Sequence, residues 1–254
     1  MSFFKGKVVI VTGSSNGIGR ECARQFAALG ARVTITGRNE KTLQETKDLC
    51  LSAGAKDADV LTVIADFAEP TAAAQLVTKT VEKFGQLDVL VNNAGAVQSL
   101  GPGFQLDLDN FDKTLNVNLK SVLVLSKEAI PHLEKTQGAI VNISSVVAYP
   151  FASLSDPSYS VSKSALDQLT VQLAGNLVLK GIRVNSVNPG IIRTNFISQA
   201  GAPQAIADKF YGDIANDREN VPLGRCGRPD DIAKLVVFLS DRSQSEFIVG
   251  QRIA

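Results

Sequence analysis

Histidine, the side chain most often used to move protons near neutral pH, occurs once in 254 residues, as His132, and nothing around it suggests catalysis. Cysteine is also scarce. Cys22, Cys50 and Cys226 lie far apart and form no CxxC pair, which argues against a zinc site or a disulfide framework. Reduced thiols in a cytosolic protein are the expectation. An excess of charge is missing too: 26 basic residues face 25 acidic ones, for a net charge of +1. That balance gives no electrostatic case for nucleic acid or an anionic membrane surface as a partner. No apolar run approaches the ~18 residues of a membrane helix. The N-terminal "MSFFKGKVVIVTG" lacks the long apolar core and small-residue cleavage site of a signal peptide. Cytosol is the expected location, with an organelle as the alternative. Repeats, low-complexity tracts and linkers are absent as well, so residues 1–254 read as one domain.

What is present is alternation. Hydrophobic residues make up 44% of the chain, enough for a sizeable core. "KVVIVT" (7–12) is a short β-branched run, the mark of a parallel strand buried on both faces. Further strands are predicted at 32–36, 60–65, 87–92, 139–144, 182–188 and in the closing "IVGQRIA". Between them Ile18, Cys22, Phe26 and Leu29 recur at helical spacing, and helices are predicted over 40–53, 71–84, 109–135, 158–180 and 229–240. Strand–helix alternation implies right-handed crossovers and an α/β fold of Rossmann type: a doubly wound, seven-stranded parallel sheet with helices on both faces. Ligands in such sheets bind beyond the carboxyl ends of the strands, where strand order reverses.

The strand ends carry a consistent set of groups. After the first strand comes "TGSSNGIGR", with Gly13, Gly17 and Gly19 spaced GxxxGxG between a strand and a helix. That context suits a pyrophosphate against a tight turn and a helix N-terminus, with Gly13, Ser15, Asn16, Gly17, Ile18 and Gly19 as candidate contacts. After the second strand, where NAD sites usually place a ribose-binding carboxylate, stands Arg38. A guanidinium there suits the 2′-phosphate of NADP; Glu40 is the acidic alternative for a ribose. Asp66 follows the third strand and could accept from an adenine amino group, or simply form a turn. "NNAG" (92–95), with Asn92, Ala94 and Gly95, follows the fourth, where a backbone must pass close to a flat cofactor. Ser144 and Ser145 follow the fifth, and "NPGIIRT" (188–194) follows the sixth, offering Pro189, Gly190, Ile192 and Thr194 to the nicotinamide end. Tyr159 and Lys163 lie four residues apart, hence on one helix face. An ammonium beside a phenol favours the phenolate, so the lysine is expected to draw the tyrosine pKa toward neutrality, as would a positively charged oxidised nicotinamide.

Taken together, "TGSSNGIG", "NNAG", "VNL" (117–119), paired serines before "YSVSK", and "NPG" resemble the short-chain dehydrogenase/reductase family from about residue 5 to the end. The resemblance implies catalytic roles for Asn118, Ser145, Tyr159 and Lys163, Asn118 holding a water in a proton relay to the lysine. With Arg38 the pattern looks most like the NADPH-dependent carbonyl reductases, including tropinone-reductase-like and oxoacyl-reductase-like members. It also implies an Asp-Gly-Gly-type segment beyond the last strand, whereas this chain stops at Ala254 inside it.

The expected chemistry is hydride transfer between NADP(H) and a carbonyl or secondary alcohol, Tyr159 exchanging the proton and no metal taking part. An NAD-linked alcohol dehydrogenase and a non-catalytic NADP-binding protein are the alternatives. Apolar side chains in 96–106, 146–157 and 191–222, among them Tyr149, Phe151, Phe196 and Tyr211, suggest an apolar or weakly polar small molecule. Segment 191–222 is read as a substrate lid, with 195–215 ordering over the cofactor. Family habit suggests a homotetramer or homodimer through the helices at 109–135 and 158–180.

Overall fold

Each branched run becomes a strand with both faces covered. The computed structural model describes residues 2–69, 71–97, 107–149, 157–199, 201–219 and 221–254. Seven strands lie within them: β1 (Val8–Val11), β2 (Arg32–Gly37), β3 (Val60–Ile64), β4 (Val89–Asn92), β5 (Ala139–Ile143), β6 (Arg183–Val187) and β7 (Arg252–Ile253). They pair in parallel in the order β3-β2-β1-β4-β5-β6-β7. The order reverses between β1 and β4, which opens the ligand crevice beyond their carboxyl ends.

The helices are α1 (Gly17–Ala28), α2 (Glu40–Ser52), α3 (Ala72–Phe84), α4 (Leu108–Leu115), α5 (Ser121–Thr136), α6 (Pro157–Leu177), α7 (Phe196–Gln199), α8 (Gln204–Asn216), α9 (Pro229–Ser240) and α10 (Arg242–Ser245). Alternation along β1 explains the two-sided core. Val9 and Val11 point to a cluster holding Phe26, Leu43, Val236 and Leu239 from α1, α2 and α9. Val8 and Ile10 point the other way, to Leu76, Leu125, Leu133 and Leu177 from α3, α5 and α6. Full burial of such side chains contributes about 1.5–3 kcal/mol each, against about 1–2 kcal/mol to order each backbone unit. A four-residue strand therefore needs both layers.

Three predicted elements come out differently. The helix predicted over 109–135 is split: a π turn, Asn116–Lys120, joins α4 to α5. Such turns carry an extra residue and gather at functional sites; this one turns Asn118 onto the backbone of Ala96. Pro131 stands inside α5 without ending it. The seventh strand is two residues long: just before it the Gly250 N–H bonds the Val184 carbonyl, and the Asn185 side chain takes the neighbouring backbone groups. That side chain accepts from the Gln251 amide and donates to the Ile248 carbonyl. The aperiodic 191–222 contains α7 and α8; α8 buries only Ala207 and Tyr211, a stripe too narrow to show as a period. Among the described residues no helix is long and apolar enough to cross a membrane.

Candidate active site

The turn after β1 is built against the end of β4. Thr12 Oγ1 accepts from the amides of Asn93 and Ala94, both at 2.9 Å. Asn93 Nδ2 returns bonds to the carbonyls of Thr12 (2.8 Å) and Gly13 (3.1 Å). Gly13 has φ +63°, and a Cβ there would stand 2.8 Å from the Ala94 Cα. A Cβ on Gly19 would collide with Asn93 Nδ2 and come within 2.5 Å of the Gly13 carbonyl. Ser14 Oγ donates to the Val11 carbonyl (2.6 Å) and accepts from the Thr36 amide (2.9 Å), fixing the turn to β2 as well. Thr46 Oγ1 donates to the Ser14 carbonyl, and Arg20 bonds Thr46, Thr42 and Glu45. Arg20 is thus spent on bracing the turn.

Asn16 caps α1 without a side-chain bond to the first turn, so that turn's amides stay available to an anion. Ser15 packs on Gly37, and Ile18 reaches the apolar cluster. A Cβ on Gly17 would lie 3.1 Å from the Thr194 methyl, so the loops after β1 and β6 meet across the crevice. A cradle that only glycine can line, beneath a helix N-terminus, fits a dinucleotide's pyrophosphate. Overpacking typically costs about 1–3 kcal/mol, so Gly19→Ala is expected to weaken dinucleotide binding about tenfold. Calorimetric titration checks this, and an unchanged affinity would put the nucleotide elsewhere.

Arg38 is exposed at the end of β2, with no hydrogen-bond or ion-pair partner among the described residues. Asn39 beside it is committed to capping α2 through Thr42. Asp66 accepts from the Ala68 amide at 3.0 Å, a turn aspartate with its second oxygen unengaged among the described residues. Asn92 is buried within the sheet and donates to Asn142 at 2.8 Å, so its side chain serves β5 and not the crevice. Pro189 accepts from the Val146 amide at 3.1 Å, joining the loops after β6 and β5. Gly190 is exposed, and Ile192 packs on Gly227.

The four catalytic candidates do converge. Ser145 ends the loop from β5 and hydrogen-bonds Tyr159 on α6. Lys163 is buried one turn on, its Nζ 5.6 Å from the Tyr159 ring centre and donating to the Ile143 carbonyl at 2.8 Å. Asn118 accepts from the Ala96 amide (2.7 Å) and donates to the Ala96 carbonyl (2.9 Å) and Ser162 (3.0 Å). A Cβ on Gly95 would stand 3.5 Å from both Asn118 Oδ1 and Lys163 Nζ, so this glycine lies between them.

The electrostatics depart from expectation. Burial pushes the Tyr159 phenol up to about 12, only partly opposed by the Ser145 bond. Burial pushes Lys163 down to about 8, opposed by the charge of Asp167. In the chain alone the lysine does not bring the phenol toward neutrality: its Nζ sits by the ring face, bonded to a carbonyl, and desolvation wins.

Phe196 packs on Tyr159 with ring centres 5.6 Å apart. Tyr211, on the buried face of α8, bonds the Thr194 backbone through its hydroxyl. Arg193 faces solvent and pairs with Asp208 at 3.3 Å. Tyr149 bonds the Arg252 carbonyl. Phe151 and the walls at 98–106 and 150–156 lie outside the described residues. Among those described, no group of three or more His, Cys, Asp or Glu could hold a metal ion. Thr12 and Asn93, which lock the turn, carried no sequence signal beyond their place in "TGSS" and "NNAG".

Known proteins resemble this chain over nearly its whole length. Residues 13–254 match the family model described as enoyl-(acyl carrier protein) reductase. The meso-2,3-butanediol dehydrogenase of Serratia marcescens is 33% identical, the match covering 98% of this chain and 93% of that protein. The 7alpha-hydroxysteroid dehydrogenase of Clostridium sardiniense is 35% identical over 98% of this chain and 92% of its own. A short-chain dehydrogenase/reductase of unknown function from Caenorhabditis elegans, solved with cofactor, superposes with a TM-score of 0.95 at 43% identity, covering 99% and 94% of the two chains.

Proposed function

The chain belongs to the short-chain dehydrogenase/reductase family of oxidoreductases, and from that premise we propose that it exchanges hydride between NADP(H) and a carbonyl or secondary alcohol of an apolar to weakly polar small molecule. The observation that carries this reading is the convergence of Ser145, Tyr159 and Lys163 beyond the carboxyl ends of the strands, beside a glycine cradle.

The residues divide the work. The cradle at Gly13–Gly19 and the α1 N-terminus hold the pyrophosphate, Arg38 the 2′-phosphate, and Asp66 the adenine amino group. Lys163 holds the ribose hydroxyls, and the backbone from Pro189 to Thr194 flanks the nicotinamide. When bound, the nicotinamide supplies a hydride to the carbonyl carbon or takes one from the carbinol carbon. In reduction Tyr159 donates its proton to the carbonyl oxygen, and Ser145 hydrogen-bonds the same oxygen as charge develops on it. The Lys163 ammonium stabilises the phenolate left behind. Asn118 fixes the 93–96 turn beside Lys163, where the relay water would sit. Phe196 packs on the catalytic ring, which supports reading 191–222 as the lid over substrate. Exposed Leu123 on α5 and Val161 and Val171 on α6 suit a homodimer or homotetramer through those helices.

The test is an absorbance screen of a carbonyl panel with NADPH and NADH in parallel. NADPH consumption with at least one apolar carbonyl is the expected result. A chain that binds neither nucleotide would overturn the proposal; one that binds NADPH but turns nothing over would be a binding protein.

A further inference from the structure

Asp167 has no part in the chemistry above, yet only 2% of it is exposed. It lies on α6 one turn beyond Lys163 and two beyond Tyr159. Burying a carboxylate without an ion pair is costly, and Asp167 enters none of the ion pairs among the described residues. One oxygen accepts from Asn188 Nδ2 at 2.7 Å; the other faces Ser186 Oγ at 3.4 Å. The same Asn188 amide donates to the Ser145 carbonyl at 3.2 Å, and Asn188 Oδ1 accepts from Ser186 at 2.8 Å. Asn188 is fully buried and opens the loop after β6. The carboxylate therefore sits beneath the loop that carries Ser145 and the loop that follows β6.

The groups facing Lys163 are few. On α6 they are Tyr159 and Asp167. From β5 comes the Ile143 carbonyl, and from the π turn and the β4 loop come Asn118 and Gly95. Asp167 alone among them carries a full charge. A buried ammonium tends to lose its proton, and a nearby anion opposes that loss.

We propose that Asp167 is a positioning residue: its carboxylate keeps Lys163 charged inside the protein and, through Asn188, ties that charge to Ser145 and to the loop after β6. The inference rests on the reading of Lys163 as the cation of the proposed site. It predicts that removing the charge, at constant shape, uncouples the lysine.

The experiment is an NMR titration of the full chain carrying [13Cε]lysine, with the Lys163 signal assigned from Lys163→Met. In Asp167→Asn the Lys163 inflection is expected to move about one pH unit lower or more, and in Asp167→Glu to stay near its original place. Where the protein turns over a carbonyl, the alkaline limb of kcat/KM for reduction moves by the same amount in Asp167→Asn. An unchanged inflection in Asp167→Asn overturns the proposal, as does a glutamate variant that titrates like the asparagine one. Should Asp167→Asn fail to fold, Asp167→Ser, which leaves room for a water, carries the same expectation. The titration needs no cofactor, so failure of the proposed function would show separately: Lys163 would still respond to Asp167 while NADPH failed to bind.

Discussion

Tyr159→Phe is expected to lower kcat by about 10²–10⁴-fold, the usual worth of a positioned proton donor, while NADPH affinity stays within about twofold, far less than the tenfold that 1.4 kcal/mol would give. The variant removes one oxygen and keeps the ring that packs on Phe196, so that contact and the helix face are preserved. Ser145 loses its partner but still accepts from the Val147 amide. The pH dependence tests the same assignment. Burial holds the phenol near 12, so the donor is protonated across the neutral range. Lys163, held near 8, is charged below that value and neutral above it. Reduction by the unaltered protein should therefore decline as pH rises through about 8, before the tyrosine itself titrates. Single-turnover kinetics and fluorescence titration with NADPH measure the two halves. Near-normal turnover in the phenylalanine variant would sink the role of Tyr159.

Arg38→Asp should reverse cofactor preference. Charge-assisted hydrogen bonds to a phosphate contribute about 1.5–3 kcal/mol, so losing them and adding repulsion is expected to change the NADPH-to-NADH ratio of kcat/KM by about 10²-fold or more. The aspartate would also offer an acceptor to the ribose hydroxyl that NADH carries in place of the phosphate. Arg38 is exposed and unpartnered among the described residues, so stability should change little. An unchanged ratio would mean that Arg38 does not read the 2′-phosphate and would favour the NAD-linked reading.

Much of the fold was legible because its signals are local. Val8–Val11 announces a buried strand by branched residues alone, and Ile18, Cys22 and Phe26 announce α1 by period. The nucleotide-side strand ends and Ser145 were legible for the same reason: each of those groups follows its strand within a few residues. What was not legible depends on residues distant in sequence. Thr12 and Asn93 are 81 residues apart, and their mutual bonds leave no pattern in either segment. The π turn at Asn116–Lys120 shifts the helical phase by a single residue, too little to interrupt an apolar stripe. Asp167 looks like a surface residue of a long helix until β6 is laid over it. The rise in the Tyr159 pKa comes from desolvation, which spacing alone does not reveal.

The clamp between Thr12 and Asn93 has a consequence for folding. Its bonds form only after a loop of 81 residues has closed, and such closure costs entropy before any contact is gained. Asn188, in turn, is held by the Ile253 carbonyl at 2.6 Å, so the opposite wall waits for β7. A partly folded chain therefore has no half-built nucleotide pocket to offer. Nucleotide would bind the native state alone and stabilise it by RT ln(1 + [L]/Kd). Cofactor concentration would then raise the stability of the folded protein as well as its rate of turnover.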